Sequence, residues 1–190
     1  MHARTPSSQP EGILHTLLSI LFLVVVVLGL TWGLRTFVFQ AYEIPSGSME
    51  TTIMPGNMVL SEKLTYYGRE PEAGDIVTFE DPDPEHAGRI LIKRVIATEG
   101  QTVDLRDGRL YVDGVLQDEP YTNGKISEPL HSYLFDEITY PYTVPPGGLW
   151  VMGDNRTNSQ DSRYFGAIPA SSVTGKGVFI YWPLFDIRLL

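Results

Sequence analysis

Hydrophobic residues are distributed along this chain in two different ways. From Gly12 to Leu34 the sequence contains no Asp, Glu, Lys or Arg, and its centre, Leu17 to Leu30, is almost entirely Leu, Ile, Val and Phe. After Leu34 the apolar residues occur in short runs that are separated by turn-forming residues. The first pattern predicts one long helix, and the second predicts a β-rich domain.

The long apolar run has the length of a membrane span. A helix needs roughly 20 apolar residues to cross a hydrocarbon core of about 30 Å. A cleaved signal peptide would have a shorter apolar region followed by a small-x-small site, and residues 35–40 offer none. We predict a polar tail over residues 1–12, a transmembrane helix over residues 13–34 and one domain over residues 35–190. Charge alone leaves the orientation open, because Arg4 precedes the span and Arg35 follows it.

The second part of the chain has the pattern of an antiparallel β domain. The dipeptides Asp107-Gly108 and Asp113-Gly114 are of the hairpin type, and the 18 glycines and 14 prolines leave little room for helices. Seven runs predict strands: Met58–Leu60, Asp75–Phe79, Ile90–Ala97, Thr102–Leu105, Arg109–Val112, Leu149–Met152 and Lys176–Trp182. The predicted fold class is therefore mainly β, with one N-terminal transmembrane helix followed by an antiparallel, barrel-like catalytic domain. Residues 117–146 match no element.

Composition excludes several classes of function. Against 23 acidic residues the chain has 14 lysines and arginines, and a net charge of −9 argues against nucleic-acid binding. The absence of cysteine excludes disulfides, thiolate catalysis and cysteine-ligated metal sites. No motif around any of the four histidines supports a Ser-His-Asp triad. The acidic loop over residues 81–86 is either a solvated turn or an ion site, and the sequence leaves this open.

A serine-containing turn follows the apolar span. In Ile44-Pro45-Ser46-Gly47-Ser48-Met49 the proline fixes one backbone angle and the glycine permits unusual ones. Such a bend can expose a nucleophilic hydroxyl beside a backbone N–H that stabilises an oxyanion. The same residues are also typical of an ordinary loop.

The run Ile90–Ile96 carries two basic residues in an apolar strand. Alternation places Lys93 on the same face as Leu91 and Val95, and Arg94 on the opposite face. Burial would lower the pKa of Lys93 and make it a candidate general base; the alternative is an edge strand from which the lysine reaches solvent. Arg94 cannot lose its charge and, if buried, needs a carboxylate.

A polar segment over residues 153–163, Gly-Asp-Asn-Arg-Thr-Asn-Ser-Gln-Asp-Ser-Arg, supplies two such carboxylates, Asp154 and Asp161. The EF-hand calcium pattern fails, because Arg156 stands at its third position and Ser159 where glycine is needed. A solvated turn and a glycosylation acceptor at Asn155 remain alternatives, although the acceptor is only a three-residue match.

Taken in order, these segments resemble the bacterial type I signal peptidases, a family of membrane-anchored Ser–Lys dyad serine proteases. The resemblance rests on the span, residues 44–49, Gly74-Asp75-Ile76-Val77, Ile92-Lys93-Arg94-Val95 and residues 153–163. It departs from the family at Thr51, where proline is common, and at Thr157, where Asp is common. It implies a serine endopeptidase that removes signal peptides from exported preproteins through an acyl-enzyme, with no cofactor.

The resemblance also implies roles for individual residues. Ser48 would be the nucleophile, Lys93 the general base, Ser46 an oxyanion donor and Ser159 the group that orients the lysine. Structural ion pairs would form among Arg94, Asp154, Asp161 and Arg163. Pockets for small substrate residues at −1 and −3 would be shaped by Tyr42, Ile44, Met49, Ile53, Leu91 and Ile92.

The expected location is the cytoplasmic membrane, with the domain on the extracytoplasmic face, and the expected partners are preproteins, the lipid bilayer and the export machinery. Two rival interpretations stay open. One is a self-cleaving Ser–Lys repressor-type protease, and the other is an inactive membrane-anchored β module that binds export partners. The substrate repertoire and the oligomeric state are not readable from the sequence.

Overall fold

The computed structural model describes residues 11–132, 135 and 137–190. It divides into two compact units, one ending at Val38 and the other spanning Phe39–Leu190. The first unit consists of helix α1, Glu11–Phe37. Within it, the 26 residues Gly12–Phe37 are long and apolar enough to cross a membrane, and none of its most apolar stretch is buried inside the structure.

The second unit contains two antiparallel sheets. The larger has eight strands: β1 (Phe39–Glu43), β2 (Met58–Glu62), β3 (Ile76–Glu80), β4 (Ile90–Thr98), β9 (Gly148–Met152), β10 (Ile168–Pro169), β11 (Val173–Trp182) and β12 (Arg188–Leu189). Its order is β1-β2-β11-β3-β4-β9-β10, with β12 beside β11, and it curls into a half-barrel. The smaller has four strands: β5 (Thr102–Arg106), β6 (Arg109–Val112), β7 (Val115–Leu116) and β8 (Tyr142–Thr143), in the order β7-β6-β5-β8. The predicted fold class is confirmed.

The predicted strands are all present, and so are the turns at both hairpin dipeptides. Each of the seven predicted runs overlaps an observed strand, and β5, β6 and β7 form successive hairpins. Both hairpin dipeptides have left-handed backbone angles at both residues, with φ of 49° at Asp107 and 52° at Asp113. Such angles give the turn that matches the twist of the flanking strands. Strand β1, the two-residue strands β7, β8, β10 and β12, and the short helices α2 (Thr65–Gly68) and α3 (Ser162–Phe165) were not predicted.

Strand β4 is paired differently along its two halves. Residues 90–94 pair with β3, whereas β9 pairs only with residues 94–98. Among the described residues, the stretch 90–93 therefore has a strand on one side and an open edge on the other. On the face that holds Lys93, the core consists of Val77, Phe79, Val95, Leu149, Val151 and Ile168. The sheet thus buries the lysine and leaves the backbone beside it unpaired.

Candidate active site

The predicted nucleophile lies in a compact turn. A short 3-10 helix spans Gly47–Met49, and Ser48 is 8% exposed. The Ser48 amide belongs to the first turn of this helix, where N–H groups have no acceptor within the helix. Ser46 immediately precedes the helix with an extended backbone, and its exposed hydroxyl does not cap it. Two hydrogen-bond donors, the Ser46 hydroxyl and the Ser48 N–H, therefore flank Gly47.

Lys93 reaches this turn from strand β4. Its Nζ donates a hydrogen bond of 2.6 Å to Ser48 Oγ, and the residue is 3% exposed. Burial lowers the pKa of Lys93 from about 10.5 to about 8, against the opposing influence of the Asp161 carboxylate. Lys93 lies on the open edge of β4, but its side chain does not reach solvent, so the alternative of a solvated lysine is excluded.

The polar segment 153–163 lies directly against the serine turn. The Asn155 amide donates to Ser48 O at 3.0 Å, and Asn155 Nδ2 donates to Gly47 O at 2.7 Å. A Cβ on Gly153 would lie 2.4 Å from Ser48 O and 2.3 Å from Ser159 Oγ, so this close approach requires glycine. This segment is therefore a support for the turn and not a solvated loop.

Two buried ion pairs hold the same segment in place. Arg94 donates to both oxygens of Asp154, at 2.8 and 2.7 Å, and Arg163 donates to both oxygens of Asp161, each at 2.9 Å. Both carboxylates are fully buried. Burial opposes ionisation of Asp161, but the Arg163 guanidinium outweighs it and lowers the pKa of Asp161. Of the two carboxylates that the sequence offered for Arg94, the structure selects Asp154.

Ser159 is positioned differently from the expectation. Its hydroxyl lies against Gly153 and is buried, but it has no hydrogen-bond partner among the described residues. The expected contact from Ser159 to the Lys93 amine is therefore not formed in this structure.

A cleft of about 750 Å³ opens over the serine and the lysine. Ser46, Ser48, Lys93 and Ser159 all line it, and so do four of the six predicted pocket residues, Tyr42, Ile44, Leu91 and Ile92. The other two, Met49 and Ile53, do not line the cleft: both are fully buried and pack in the core with Ile44 and Ile92. They support the wall of the cleft from behind.

Several functional candidates were missed by the sequence analysis. Arg156 is 1% exposed and donates to both oxygens of Glu119, at 2.8 and 2.5 Å, and to Ser127 Oγ at 2.6 Å. The Tyr121 ring lies 4.1 Å from the Arg94 guanidinium, and Lys125 Nζ donates to Asn155 Oδ1 at 2.7 Å. These partners come from the stretch 117–146, which no motif connected to the site. One sequence feature could have pointed to this contact: Arg156, if buried, needs a carboxylate partner. The sequence does not show which carboxylate that is, so it does not identify Glu119.

In the acidic loop, Asp81 and Asp83 each pair with another side chain of the protein. Arg89 Nε donates to Asp81 at 2.5 Å, and His86 Nδ1 lies 2.9 Å from Asp83. No group of three or more acidic or histidine side chains among the described residues is arranged to hold a metal ion.

A serine hydroxyl bonded to a buried lysine of lowered pKa, in a cleft of a β-rich domain, is typical of the serine hydrolases that use lysine as a base. The sequence model for "Signal peptidase, peptidase S26" matches residues 15–182. The chain therefore belongs to the signal peptidase family, peptidase S26, and the resemblance predicted from its motifs is confirmed.

Two relatives found by sequence agree with this assignment. The chain is 35% identical over 191 residues to "Probable signal peptidase I-2" of Synechocystis sp., covering 99% of this chain and 82% of that protein. It is 38% identical over 157 residues to "Thylakoidal processing peptidase 1, chloroplastic" of Arabidopsis thaliana, covering 78% of this chain and 44% of that longer protein. A crystal structure of a signal peptidase I from Enterococcus faecalis V583 is 34% identical, with a TM-score of 0.46, and covers 57% of this chain and 97% of that one.

Proposed function

We propose that this protein is a membrane-bound serine endopeptidase that removes signal peptides from exported preproteins, with Ser48 as nucleophile and Lys93 as general base. The observation that carries the proposal is the 2.6 Å hydrogen bond between Lys93 Nζ and Ser48 Oγ, made by a lysine whose pKa burial lowers to about 8. About a tenth of such a lysine is neutral at pH 7, against well under a thousandth for a lysine of ordinary pKa, and a general base must be neutral.

Each proton in the proposed reaction moves through Lys93. The neutral amine takes the Ser48 proton as Oγ attacks the scissile carbonyl, and the oxyanion is stabilised by the Ser48 N–H and the Ser46 hydroxyl. When the C–N bond breaks, the lysine ammonium gives its proton to the leaving amine. In the second half, Lys93 takes a proton from water, the hydroxide attacks the acyl ester, and Ser48 Oγ leaves with that proton. These steps need no metal or organic cofactor.

The cleft fits an extended peptide chain. The open edge of β4 at residues 90–93 can form backbone hydrogen bonds with a substrate strand, which is a common mode of peptide recognition. Tyr42, Ile44, Leu91 and Ile92 line the cleft beside the dyad and would contact small side chains at −1 and −3. Arg94, Asp154, Asp161 and Arg163 would keep the polar segment against the serine turn. Ser159 would orient the lysine only if its unpartnered hydroxyl turned towards Lys93 Nζ.

Helix α1 would anchor the enzyme. Its composition and length suit a single pass through the cytoplasmic membrane, with the β domain on the extracytoplasmic face where exported preproteins emerge. The lipid bilayer and the export machinery are the partners that follow from this arrangement.

The test is cleavage of a preprotein by the detergent-solubilised full-length chain. We expect the parent to release the signal peptide, Ser48→Ala to be inactive with unchanged thermal melting, and Ser46→Ala to be slower by about 10²–10³-fold, the usual effect of one oxyanion donor. Activity in Ser48→Ala together with an inactive Ser46→Ala would identify the other serine as nucleophile. A folded parent that binds but never cleaves preproteins would be the inactive β module, and one that shortens only itself would be the self-cleaving type.

A further inference from the structure

The cleft extends beyond the proposed dyad to a charged residue, Arg89. Arg89 precedes β4 and lines the same cleft as Ser48 and Lys93. Because side chains alternate along an extended chain, Arg89 lies on the same face as Leu91 and Lys93. Lys93 follows Arg89 by four residues. An extended chain rises about 3.3 Å per residue, so their Cα atoms are roughly 13 Å apart.

The Arg89 side chain is held in place but remains accessible. Its Nε donates to Asp81 Oδ2 at 2.5 Å, and the Asp81 amide donates back to Arg89 O at 2.9 Å. The Asp81 side chain is 3% exposed whereas that of Arg89 is 48% exposed. The nearby Asp83 carboxylate accepts hydrogen bonds from the Glu85 amide and pairs with His86. Asp81 and Asp83 are thus both paired, and the Arg89 guanidinium is a group that a ligand in the cleft can reach.

The open edge of β4 lies between this guanidinium and the dyad. A peptide strand that pairs with residues 90–93 advances about 3.4 Å per residue, the same spacing as the strand itself. If Leu91 and Ile92 contact the substrate at −1 and −3, the chain that passes Arg89 is the part N-terminal to the cleaved bond. Roughly 13 Å then corresponds to about four residues beyond −1, which is near position −5.

We propose that Arg89 forms a specificity subsite that binds a hydrogen-bond-accepting side chain of the substrate, preferably a carboxylate, near position −5 of the signal peptide. The planar guanidinium has five donors, and those not used by Asp81 can bind a second carboxylate. This subsite rests on the proposed function, because it requires a peptide bound along β4.

The experiment compares substrates within one enzyme. Preproteins carrying Glu, Gln or Lys at −4, −5 or −6, one position at a time, are cleaved by the detergent-solubilised full-length chain, and kcat/KM is measured for each. For the parent we expect Glu to exceed Lys by about fivefold near −5, the scale of a half-exposed ion pair, with Gln between them. Arg89→Met should flatten this preference, and Arg89→Glu should reverse it.

The ratio of the kcat/KM values of two substrates, measured with the same variant, separates the effect of the subsite from the effect of the chemical step. Arg89 also lowers the pKa of Lys93 through its charge, so its variants change the absolute rates of all substrates. That change cancels in the ratio. Arg109→Glu is the matched control: it makes the same charge change at an exposed position on β6 and should keep the parent's preference.

Three results would overturn the subsite: equal kcat/KM for Glu and Lys in the parent at all three positions, an unchanged preference in a folded Arg89→Glu, or a reversed preference in Arg109→Glu. Cleavage of none of the substrates by the parent would instead contradict the proposed peptidase function itself. Thermal melting of Arg89→Met and Arg89→Glu establishes that each variant is folded.

Discussion

At the scale of single residues, the proposed chemistry depends on the environment of Lys93. Burial is the largest influence on its pKa and lowers it. The charges around it act in both directions: Arg89 lowers the pKa further, while Asp161, Asp81 and Asp154 raise it. Burial outweighs the three carboxylates, so the lysine keeps a pKa near 8 instead of the usual 10.5. The lowered pKa of the proposed base therefore depends mainly on its burial.

We expect the rate of cleavage under single-turnover conditions to rise with pH through about 8, as Lys93 loses its proton. Lys93→Met and Lys93→Arg should both be inactive, because neither side chain can accept a proton from Ser48. The pH–rate profile of the parent is the deciding measurement. A rate that keeps rising to pH 10 without an inflection would show that the lysine titrates as it does in water.

The lowered pKa also has a consequence for stability. Between pH 8 and 10.5 the unfolded chain carries a proton on Lys93 that the folded chain does not, so stability rises with pH across this window. Below pH 8 the full cost of about 3 kcal/mol is present. Lys93→Met should therefore be more stable than the parent at pH 7, by an amount that shrinks towards pH 10. Denaturant unfolding at both pH values tests this, and a destabilised Met variant at pH 7 would contradict it.

The pair of Arg94 and Asp154 should make a large contribution to stability. Asp154 is fully buried and also accepts a hydrogen bond from Thr52 Oγ1, so Arg94→Met leaves an uncompensated carboxylate. We expect Arg94→Met or Asp154→Asn to lower the free energy of unfolding by about 3–5 kcal/mol. The control is Arg106→Met, which breaks a pair with Asp104 in which the arginine side chain is 58% exposed and should cost under about 1 kcal/mol. Equal losses in both variants would show that burial of the pair is irrelevant.

At the scale of elements, the stretch from Glu119 to Glu128 connects the parts of the site. We call it the bracing segment. Glu119 and Ser127 bind Arg156, the Tyr121 ring lies on Arg94, and Tyr121 O accepts from Thr51 Oγ1 at 2.6 Å. It also contacts the polar segment through Lys125 and through Glu128 O. The bracing segment thus contacts the residues just after the serine turn, the strand that carries Lys93, and the polar segment.

Glu119→Gln should loosen the bracing segment. Arg156 is 1% exposed, so loss of its carboxylate partner leaves a buried cation without a counter-charge, at a cost of about 3–5 kcal/mol. Asp118→Asn is the matched control, since it removes the same charge from the adjacent exposed residue. We expect Glu119→Gln to melt at a lower temperature and to cleave more slowly at assay temperature, with Asp118→Asn like the parent. An unchanged melting temperature in Glu119→Gln would show that Arg156 finds another partner.

At the scale of the whole molecule, the chain consists of an apolar helix and a β domain that form separate compact units. Helix α1 exposes large apolar side chains all round, for example Phe22 at 70% and Leu28 at 63%, which is unfavourable in water and suits a lipid environment. The charges that flank the helix do not fix its direction. The direction follows only from the proposed function, which requires the β domain on the side where preproteins emerge.

Cysteine labelling tests this orientation, because the chain has no cysteine of its own. Ser171→Cys introduces a thiol at an exposed position of the β domain, and Ser8→Cys introduces one before the helix. In intact cells we expect a membrane-impermeant maleimide to label the first variant and not the second, while both react after permeabilisation. Labelling of Ser8→Cys alone would place the β domain in the cytoplasm.

Much of this architecture could be predicted from short stretches of the sequence. The membrane-length helix follows from the uncharged run at Gly12–Leu34, and the strands follow from apolar runs bounded by turns such as Asp107-Gly108. These features depend on residues close together in the chain, whose spacing a single sequence displays directly. Short strands such as β10 and β12 were not predicted, because two residues are too few to show an alternation of apolar and polar positions.

By itself, the sequence determined the helix, the β class, the family and the pair of candidates Ser48 and Lys93. Only the tertiary structure decided that Lys93 is buried on Ser48, that Arg94 pairs with Asp154, that Met49 and Ile53 lie behind the cleft, and that Glu119 compensates Arg156. The physical reason is that burial and charge pairing depend on which distant segments meet. Ser48 and Lys93 are 45 residues apart, and Glu119 and Arg156 are 37 apart, so only the folded sheet brings them together.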